Sequence, residues 1–344
     1  MKRGWAAVLL LSGLCTAALH GQEKSVAAAE VVAGVVKAAE QLIATLDKAQ
    51  QEKLLFAFDD QEQRKRWSNL PVTIVARRGL RMGDLNEEQQ AAVYALLKAT
   101  LSERGYRQVL ENMVGDEVLK EQGQGRGRTM FGKGQYYVSF LGKPSTTEPW
   151  MWQFGGHHLG INATIVGDKI TLSPSLTGGQ PVRYNFQGKS VRQLAREQDL
   201  SFELIGALTP EQRKQTIRKE SFDDALLFGP GREGIKPKEE GIKASTLNEK
   251  QRKLLLDLIN ERVGVLNDIH SKPLMEAIAK DLDRTWFSWH GSTIKGEPAC
   301  FRIQGPTVLI EYAPQHMGGD ATQHTHAMYR DPTNDYGAGW ITKK

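Results

Sequence analysis

The chain has 344 residues, of which 40% are hydrophobic and 25% are charged, the composition of an ordinary globular protein. This length accommodates one large domain or two modest ones. The formal net charge is +5 at pH 7, and basic residues are scattered among acidic ones, so the sequence lacks the concentrated positive charge of a nucleic-acid-binding protein.

The first 21 residues are typical of a secretory signal peptide. Two basic residues precede an apolar run from Trp5 to about Leu19, and small residues follow, with cleavage expected near Gly21. The run is short for a membrane span, and no later segment approaches about 18 consecutive apolar residues. We therefore expect an exported protein, periplasmic or extracellular, with no transmembrane helix in the mature chain.

Cys300 is the one cysteine left after that cleavage. A chain with a single cysteine has no internal disulfide, so its hydrophobic core must stabilise the fold. Cys300 lies in the alternating run CFRIQG, which favours a buried structural thiol over a nucleophile.

Helical periodicity dominates the first third of the mature chain. It predicts one long helix over residues 25–57, and Pro71 and Gly79 then bracket a short extended segment. LNEEQQ opens a helix at Leu85 that is expected to close at Gly105, and a second helix follows from about Arg107 to Glu121. The next stretch, QGQGRGR, is typical of a flexible loop.

From Gln135 onward the hydrophobic period changes to two, which predicts strands in QYYVSF, WMWQF, HLGINATIV and KITLSP. A helical region containing SVRQLAREQDLSFELIGAL and LTPEQRKQTI follows, and then a polar Gly/Pro/Lys connection over 229–246. LNEKQRKLLLDLINERV and PLMEAIAKDLD predict two more helices. TWFSWHG, ACFRIQG and TVLIEYA return to strands.

The two halves of this pattern resemble each other over about 85–175 and 247–330. Each opens with LNE, continues through two helices, and reaches an aromatic strand and a Glu-Pro pair. Ungapped counting from the Glu-Pro pairs sets Asn162 opposite Glu311 and His158 opposite Thr307. The sequence thus predicts an α+β fold in residues 22–344: two related helix–helix–strand–strand units from an internal duplication, mostly antiparallel sheet and an N-terminal helix. A chance likeness of amphipathic helices before strands is the alternative.

Two tight histidine motifs, FGGHHLGIN and HTH, are the leading candidates for chemistry. Residues two apart on a strand face the same side, so His324 and His326 can offer two nitrogens to one ion. The same alternation points His157 and His158 to opposite faces, so at most one of them joins. His158, His324 and His326 are the predicted ligands of a zinc or copper ion, with Glu311 as the alternative to His158, and His157 packs or orients.

Glu311 and the tail RDPTNDYG supply further candidates. An acid within the apolar strand TVLIEYA requires a partner, and Asn162 can face Glu311 across the repeat junction. Arg330 can bind a carboxylate or phosphate of an anionic small-molecule substrate, with Asp331 or Asp335 behind a histidine. Glu311, Arg330 and Asp335 are thus candidate catalytic residues. The alternative is structural, because Asp-Pro and Asn-Asp form turns and Arg–Asp pairs are often architectural.

These motifs resemble a bacterial family known as domain of unknown function 3500, in particular WMWQFGGHHLGIN, FRIQGPTVLIEY and HTHAMYRDPTNDYG. The likeness covers roughly residues 30–340. It implies an exported protein without an established activity. The family pattern includes these residues of this chain: His157, His158, Asn162, Glu311, His324, His326, Arg330, Asp331 and Asp335. The segment YAPQHMGGDATQ departs from the Asp/Asn/Thr/Gln-rich run that many members have there.

Three functions fit the sequence. The most favoured is a secreted zinc- or copper-dependent enzyme, in which the metal activates water or an oxygen species. The second is a protein that binds a metal or small ligand without catalysis. The third is an interaction or structural module whose histidines are hydrogen-bonded core residues. An enzyme keeps an open coordination position, a carrier can close its shell, and a structural module purifies without metal.

Overall fold

The computed structural model describes residues 6–125, 127–219, 221–222 and 226–341, and it describes side chains from residue 25 onward. The first five residues of the predicted export signal lie outside this part, and the rest of that signal is described as backbone only. The helices are α1 Ala6–Ala44, α2 Lys48–Leu54, α3 Gln61–Arg64, α4 Glu87–Thr100, α5 Glu103–Gln122, α6 Gly127–Met130, α7 Ala195–Ala207, α8 Pro210–Thr216, α9 Glu249–Val263 and α10 Asp268–Lys280.

The strands belong to one large sheet and one separate hairpin. They are β1 Leu55–Phe56, β2 Leu80–Arg81, β3 Tyr137–Leu141, β4 Trp150–Gly156, β5 Leu159–Val166, β6 Lys169–Thr171, β7 Ser175–Gly179, β8 Arg183–Phe186, β9 Lys189–Arg192, β10 Ile217–Lys219, β11 Ile242–Lys243, β12 Trp286–Gly291, β13 Ala299–Gln304, β14 Leu309–Pro314 and β15 Thr325–Arg330. Strands β8 and β9 form the hairpin. The other strands form a mostly antiparallel sheet, so the predicted α+β class is confirmed.

The main path through the sheet is β1-β3-β4-β5-β7-β15-β14-β13-β12-β10, and it has the same form from either edge. An outer strand pairs in parallel with the first strand of each half, β1 with β3 and β10 with β12. Short strands β2 and β11 add antiparallel to those same strands. The halves meet where β7 pairs with β15, and Thr177 faces Ala327 at the middle of that pair.

The helices before each set of strands begin with the same chemistry. Asn86 caps α4 and Asn248 caps α9, each in a capping box with the glutamine three residues later. Each glutamine side chain also donates to a carbonyl of an earlier segment, Gln89 to Thr45 and Gln251 to Ala207. The two helix starts are therefore anchored in equivalent ways.

The two faces of the sheet are covered differently. Helices pack on one face in two apolar clusters, α1, α4 and α5 on the first half and α7, α9 and α10 on the second. Irregular segments cover the other face: Trp67 after α3 and Phe228 after β10 pack with Leu176, Leu309 and Met328. On this side, loop backbone provides partners for buried polar side chains of the sheet: Asn162 donates to Pro174, and Glu311 accepts from Phe228.

Several predicted helix boundaries were wrong. The helix predicted over 25–57 ends at Ala44, because Asp47 caps a new helix and β1 follows. The helix predicted to close at Gly105 ends at Thr100. Gly105 lies inside α5, where a Cβ would stand 2.2 Å from the carbonyl oxygen of Val265, so this glycine permits close packing and does not end a helix.

Two more segments differ from expectation. A helical turn, α6, begins at Gly127 inside the stretch predicted to be a loop and continues past its end to Met130. The last helix starts at Asp268, one turn before the predicted PLMEAIAKDLD, with Asn267 as its cap. Among the described residues, no helix combines the length and the apolar character that a membrane span requires.

Candidate metal centre

The histidines of both motifs lie at one end of the central strands. His157 and His158 form the tight turn between β4 and β5. His324 immediately precedes β15, and His326 is the second residue of that strand. His158 has a positive φ of 59°, a turn conformation, so strand alternation does not separate it from His157. The two rings instead stack with centroids 3.5 Å apart. Sequences 166 residues apart thus converge through the β5–β7–β15 ladder.

His158, His324 and His326 form a compact group. Each offers one ring nitrogen, and these atoms all lie within 4.8 Å of one another. The Nε2 atoms of His158 and His324 are 2.9 Å apart. The ring of His326 lies 4.8 Å from that of His158 and 5.0 Å from that of His324, centroid to centroid. The structure therefore brings together the three residues that the sequence nominated as metal ligands.

Burial leaves part of this group without hydrogen-bond partners. His158 and His326 are each 1% exposed. Among the residues that the structure describes, neither ring nitrogen of His326 has a hydrogen-bond partner, nor does Nδ1 of His158. An unsatisfied buried polar atom costs about 1–3 kcal/mol. Burial, with neighbouring imidazoles, also lowers the pKa of both rings well below 6.5, so they are neutral at pH 7 and keep lone pairs for a ligand.

His324 is fixed from outside the group. Its Nδ1 lies 2.6 Å from the backbone oxygen of Met317, which selects the tautomer with the proton on Nδ1. The lone pair of Nε2 then points toward the other histidines. This backbone contact is the kind that orients metal-binding imidazoles. Met317 itself is 64% exposed, so the histidine group lies directly beneath a segment of the protein surface.

Gly178 of β7 gives the histidines their space. It pairs with His326 across the β7–β15 ladder. A Cβ at this position would lie 2.7 Å from the carbonyl oxygen of Thr325, 3.2 Å from Cβ of His158 and 3.3 Å from Cδ2 of His326. Glycine is therefore required for this close approach.

A second polar group from helix α5 adjoins the first. Asp116 Oδ1 lies 3.0 Å from Nδ1 of His157. The hydroxyl of Tyr136 lies 3.0 Å from Asp116 Oδ2 and 2.8 Å from Oδ1 of Asn112. Asn112 in turn donates to the backbone oxygens of His158, at 3.1 Å, and Gly178. Burial raises the pKa of Asp116, and His157 partly offsets this.

Sequence reasoning missed Asp116, Asn112 and Tyr136. The available signal was on α5, where Asn112 and Asp116 are one turn apart beside Val109 and Met113 on the apolar side of the helix. Two polar residues at i and i+4 on a buried stripe require partners. What the sequence does not reveal is that this stripe packs on the β4–β5 turn.

Glu311 is fully buried but lies apart from the histidines. Its Oε1 accepts from Nε of Arg302 at 2.8 Å, and its Oε2 accepts from the backbone N–H of Phe228 at 2.9 Å. On the neighbouring strand it faces Met328, two residues beyond His326. Arg302 on β13 is thus the partner that this buried carboxylate requires, and the contacts of Glu311 are those of a structural residue.

Asn162 occupies the corresponding position in the other half. It accepts from Nε2 of Gln153 at 2.8 Å and donates to the backbone oxygen of Pro174 at 2.9 Å. It does not face Glu311 directly. The two residues end buried polar rows across three strands, whose members are Ser139, Gln153 and Asn162 in one half and Ser288, Arg302 and Glu311 in the other.

The tail residues form a network of their own at the far end of β15. Arg330 donates to the backbone oxygens of Phe228 and Gly229, both at 2.8 Å, and its Nη1 lies 2.6 Å from Asp335 Oδ2. Asp335 accepts from Ser173, and Asp331 accepts from the backbone and hydroxyl of Thr333. These contacts match the structural alternative, and the structure does not bring the three residues to the histidines.

Comparison with known proteins gives one match. The model of a family described as "Protein of unknown function (DUF3500)" matches residues 28–338. No curated protein matches the chain, and no solved structure does. The match begins after the predicted export signal and contains every residue of both polar groups.

Proposed function

The chain belongs to the DUF3500 family, and we propose that it is a metal-dependent enzyme whose zinc or copper ion is bound by His158, His324 and His326. The observation that carries this proposal is the convergence of three buried imidazoles with their ring nitrogens within 4.8 Å. Imidazole nitrogen suits both metals. One of the two unpartnered nitrogens of His326 gains a partner when an ion binds.

The spacing of the group fits an ion with little rearrangement. Zinc–nitrogen bonds of about 2.0–2.1 Å place two tetrahedral ligands roughly 3.3 Å apart. The closest pair, His158 and His324, has its Nε2 atoms 2.9 Å apart, so it has to separate by a few tenths of an ångström. His324 is already oriented by Met317 and His158 by the turn, which limits the entropy lost on binding.

Catalysis is favoured over a purely structural ion by the number of ligands. Structural zinc sites have four protein ligands, and catalytic ones have three plus water or substrate. Within the described residues this group contains three histidines. The metal, when bound, supplies Lewis acidity or redox chemistry at that fourth position. Zinc would support hydrolysis and copper would support oxidation, and an anionic small molecule remains a candidate substrate.

A non-catalytic carrier is the second candidate, and burial is the observation that favours it. His158 and His326 are each 1% exposed and His324 is 6% exposed. A substrate would have to reach the ion past the segment that contains Met317. A site this buried suits retention or transfer of a metal outside the cytoplasm. Turnover of model esters, phosphoesters or phenols by metal-loaded protein would separate the enzyme from the carrier.

We also propose that residues 1–21 direct export, since MKR precedes an apolar run and the family match starts only at residue 28. Export would expose the site to zinc and copper outside the cytoplasm. Fractionation of cells producing the full chain, with N-terminal sequencing of the released protein, tests this. Cleavage near Gly21 supports the proposal, and an uncleaved cytoplasmic protein contradicts it.

The metal proposal is tested by counting ions. Untagged protein, purified without chelator and then supplied with zinc or copper, is measured by elemental mass spectrometry beside His324→Ala and His326→Ala. His270→Ala is the matched control, because His270 is also buried but contacts Asn267 and Asp168 instead. We expect bound metal in wild type and the control, and its loss in both site variants. Metal-free wild type after reconstitution would overturn the proposal and favour a structural role.

A further inference from the structure

The three-histidine cluster shares one residue with a second potential ligand group. Asp116, His157 and His158 are all buried, and their ligand atoms lie within 4.8 Å of one another. His158 is therefore a member of both groups. Asp116 comes from helix α5, whereas the other two form the β4–β5 turn, so this second group joins the helical layer to the sheet.

We propose that His158 bridges two metal ions, one held with His324 and His326 and the other with His157 and Asp116. The inference rests on the proposed function for the first ion. Nε2 of His158 lies 2.9 Å from Nε2 of His324, on the side of the first site. Its other nitrogen, Nδ1, is buried and has no hydrogen-bond partner in the described part of the chain, so it is available as a donor to the second ion.

The chemistry of the second donor set suits a second dication of the zinc and copper class. It combines imidazole nitrogen with a carboxylate, and that carboxylate supplies negative charge that the first group lacks. A bridging imidazole uses both nitrogens, so its N–H proton is displaced to solvent as the second ion binds. The resulting imidazolate adds another negative charge between the two ions. Charge neutralisation thus favours occupation of both sites.

The surrounding contacts hold the two sites in a fixed relation. Asn112 binds the backbone oxygens of His158 and Gly178, which ties α5 to the turn and to β7 at once. Tyr136 lies 3.0 Å from the outer oxygen of Asp116 and orients that carboxylate. Both contacts involve residues that stand outside the proposed ligand set. They preorganise the donors before any ion arrives.

The test is a titration of metal-free full-length protein with Cu(II), followed by ion counting and electron paramagnetic resonance. We expect two ions per wild-type chain and one in Asp116→Asn. His270→Gln, a buried histidine outside both groups, should still bind two. Exchange through the bridging imidazolate should reduce the double-integrated copper signal of wild type far below two spins, while Asp116→Asn should show one full spin. If Asp116 were merely structural, Asp116→Asn would still bind two coupled ions, and its copper signal would not rise to one full spin.

Asp116 is 2% exposed, so its replacement can also destabilise the fold. His157→Gln is therefore measured in parallel, with circular dichroism of every variant, and the same one-ion, one-spin result is expected. One ion in wild type and in both variants would overturn the bridge and leave the three-histidine site intact. Two ions with two uncoupled spins would also overturn it. Absence of copper binding in wild type would overturn the bridge, and absence of zinc binding as well would remove the proposed function.

Discussion

The β4–β5 turn and the β13–β14 turn occupy matching places in the two halves of the sheet, but they carry different side chains. The β4–β5 turn carries His157 and His158, and the β13–β14 turn carries Pro306 and Thr307 at the matching positions. Around the Thr177–Ala327 pair, the residue pair Gly178–His326 lies on one side and Leu176–Met328 on the other. One end therefore gathers buried histidines, while the other gathers an apolar cluster with Trp67 and Phe228.

This contrast separates what the architecture requires from what function requires. The two halves have the same strand order when each is read from its own edge of the sheet, and they place capping boxes and polar rows at matching positions. These likenesses support our proposal that the halves arose by internal duplication. The apolar end shows that the fold does not need histidines at such a turn. Unsatisfied imidazoles are a net cost at the other end, and a bound ion would offset that cost.

The sharpest way to break the comparison is to remove the side chain at the matching position of each turn. His158→Ala should weaken metal binding by at least about a hundredfold, since it removes one ligand outright and mutation of even supporting partners costs about 10–100-fold. Thr307→Ala, the matched change in the other turn, should leave binding unchanged. Isothermal titration with zinc measures both. Equal losses in the two variants would contradict the functional asymmetry.

The polar rows should differ in stability but not in metal binding. Glu311→Ala removes the fully buried carboxylate that pairs with Arg302 and accepts from the backbone of Phe228. Among the described carboxylates this leaves the partly buried guanidinium only Glu240 at 3.7 Å, and it should cost about 3–5 kcal/mol in the free energy of unfolding. Asn162→Ala, at the matching place, removes only neutral hydrogen bonds and should cost about 1–3 kcal/mol. Urea unfolding of metal-free protein gives both values. Loss of metal from folded Glu311→Ala would instead return Glu311 to the ligand set.

The glycine that gives the histidines space should be more sensitive than an open glycine. Gly178→Ala places a Cβ against Thr325 and His158 and should cost about 1–3 kcal/mol, with weaker metal binding as the rings shift. Gly206→Ala in α7 meets no atom within 4 Å and should be neutral or slightly stabilising. Thermal unfolding with and without zinc compares them. Wild-type metal affinity in Gly178→Ala would show that the rings tolerate displacement.

Acid should destabilise the metal-free protein through the same histidines. Burial lowers the pKa of His158 and His326 well below 6.5, so below pH 6.5 the unfolded chain binds more protons than the folded one. Stability therefore falls as pH drops below 6.5, with each group contributing up to about 1.4 kcal/mol per pH unit. His326→Gln should flatten this slope in urea unfolding between pH 6.5 and pH 5. An unchanged slope would mean that His326 is not a buried neutral imidazole.

Much of the fold could be predicted because it depends on local periodicity. The helix starts at Asn86 and Asn248 and the strands around Trp152 and Phe301 follow from capping signals and period-two alternation. Strand β7, SLTGG, was not predicted, since its two glycines weaken the strand signal. Yet it joins the halves by pairing with both β5 and β15, and its Gly178 allows the histidines to approach.

The site was predictable only in part, for a related reason. His324 and His326 share a face through local geometry, and His158 was nominated with them because it lies in the second tight histidine motif, FGGHHLGIN. Asp116 and the Arg302–Glu311 pair depend on which helix packs on a turn and which strands are neighbours, and these long-range pairings leave no local pattern. The buried acid at Glu311 correctly demanded a partner, but a metal was not the nearest one.

The most direct measurement of the central claim is a crystal structure of zinc- or copper-loaded protein with data collected at the metal absorption edge. We predict an anomalous peak about 2.0–2.1 Å from one ring nitrogen each of His158, His324 and His326. A peak elsewhere, with these three rings arranged as they are without metal, would contradict the account and leave the histidines as architecture.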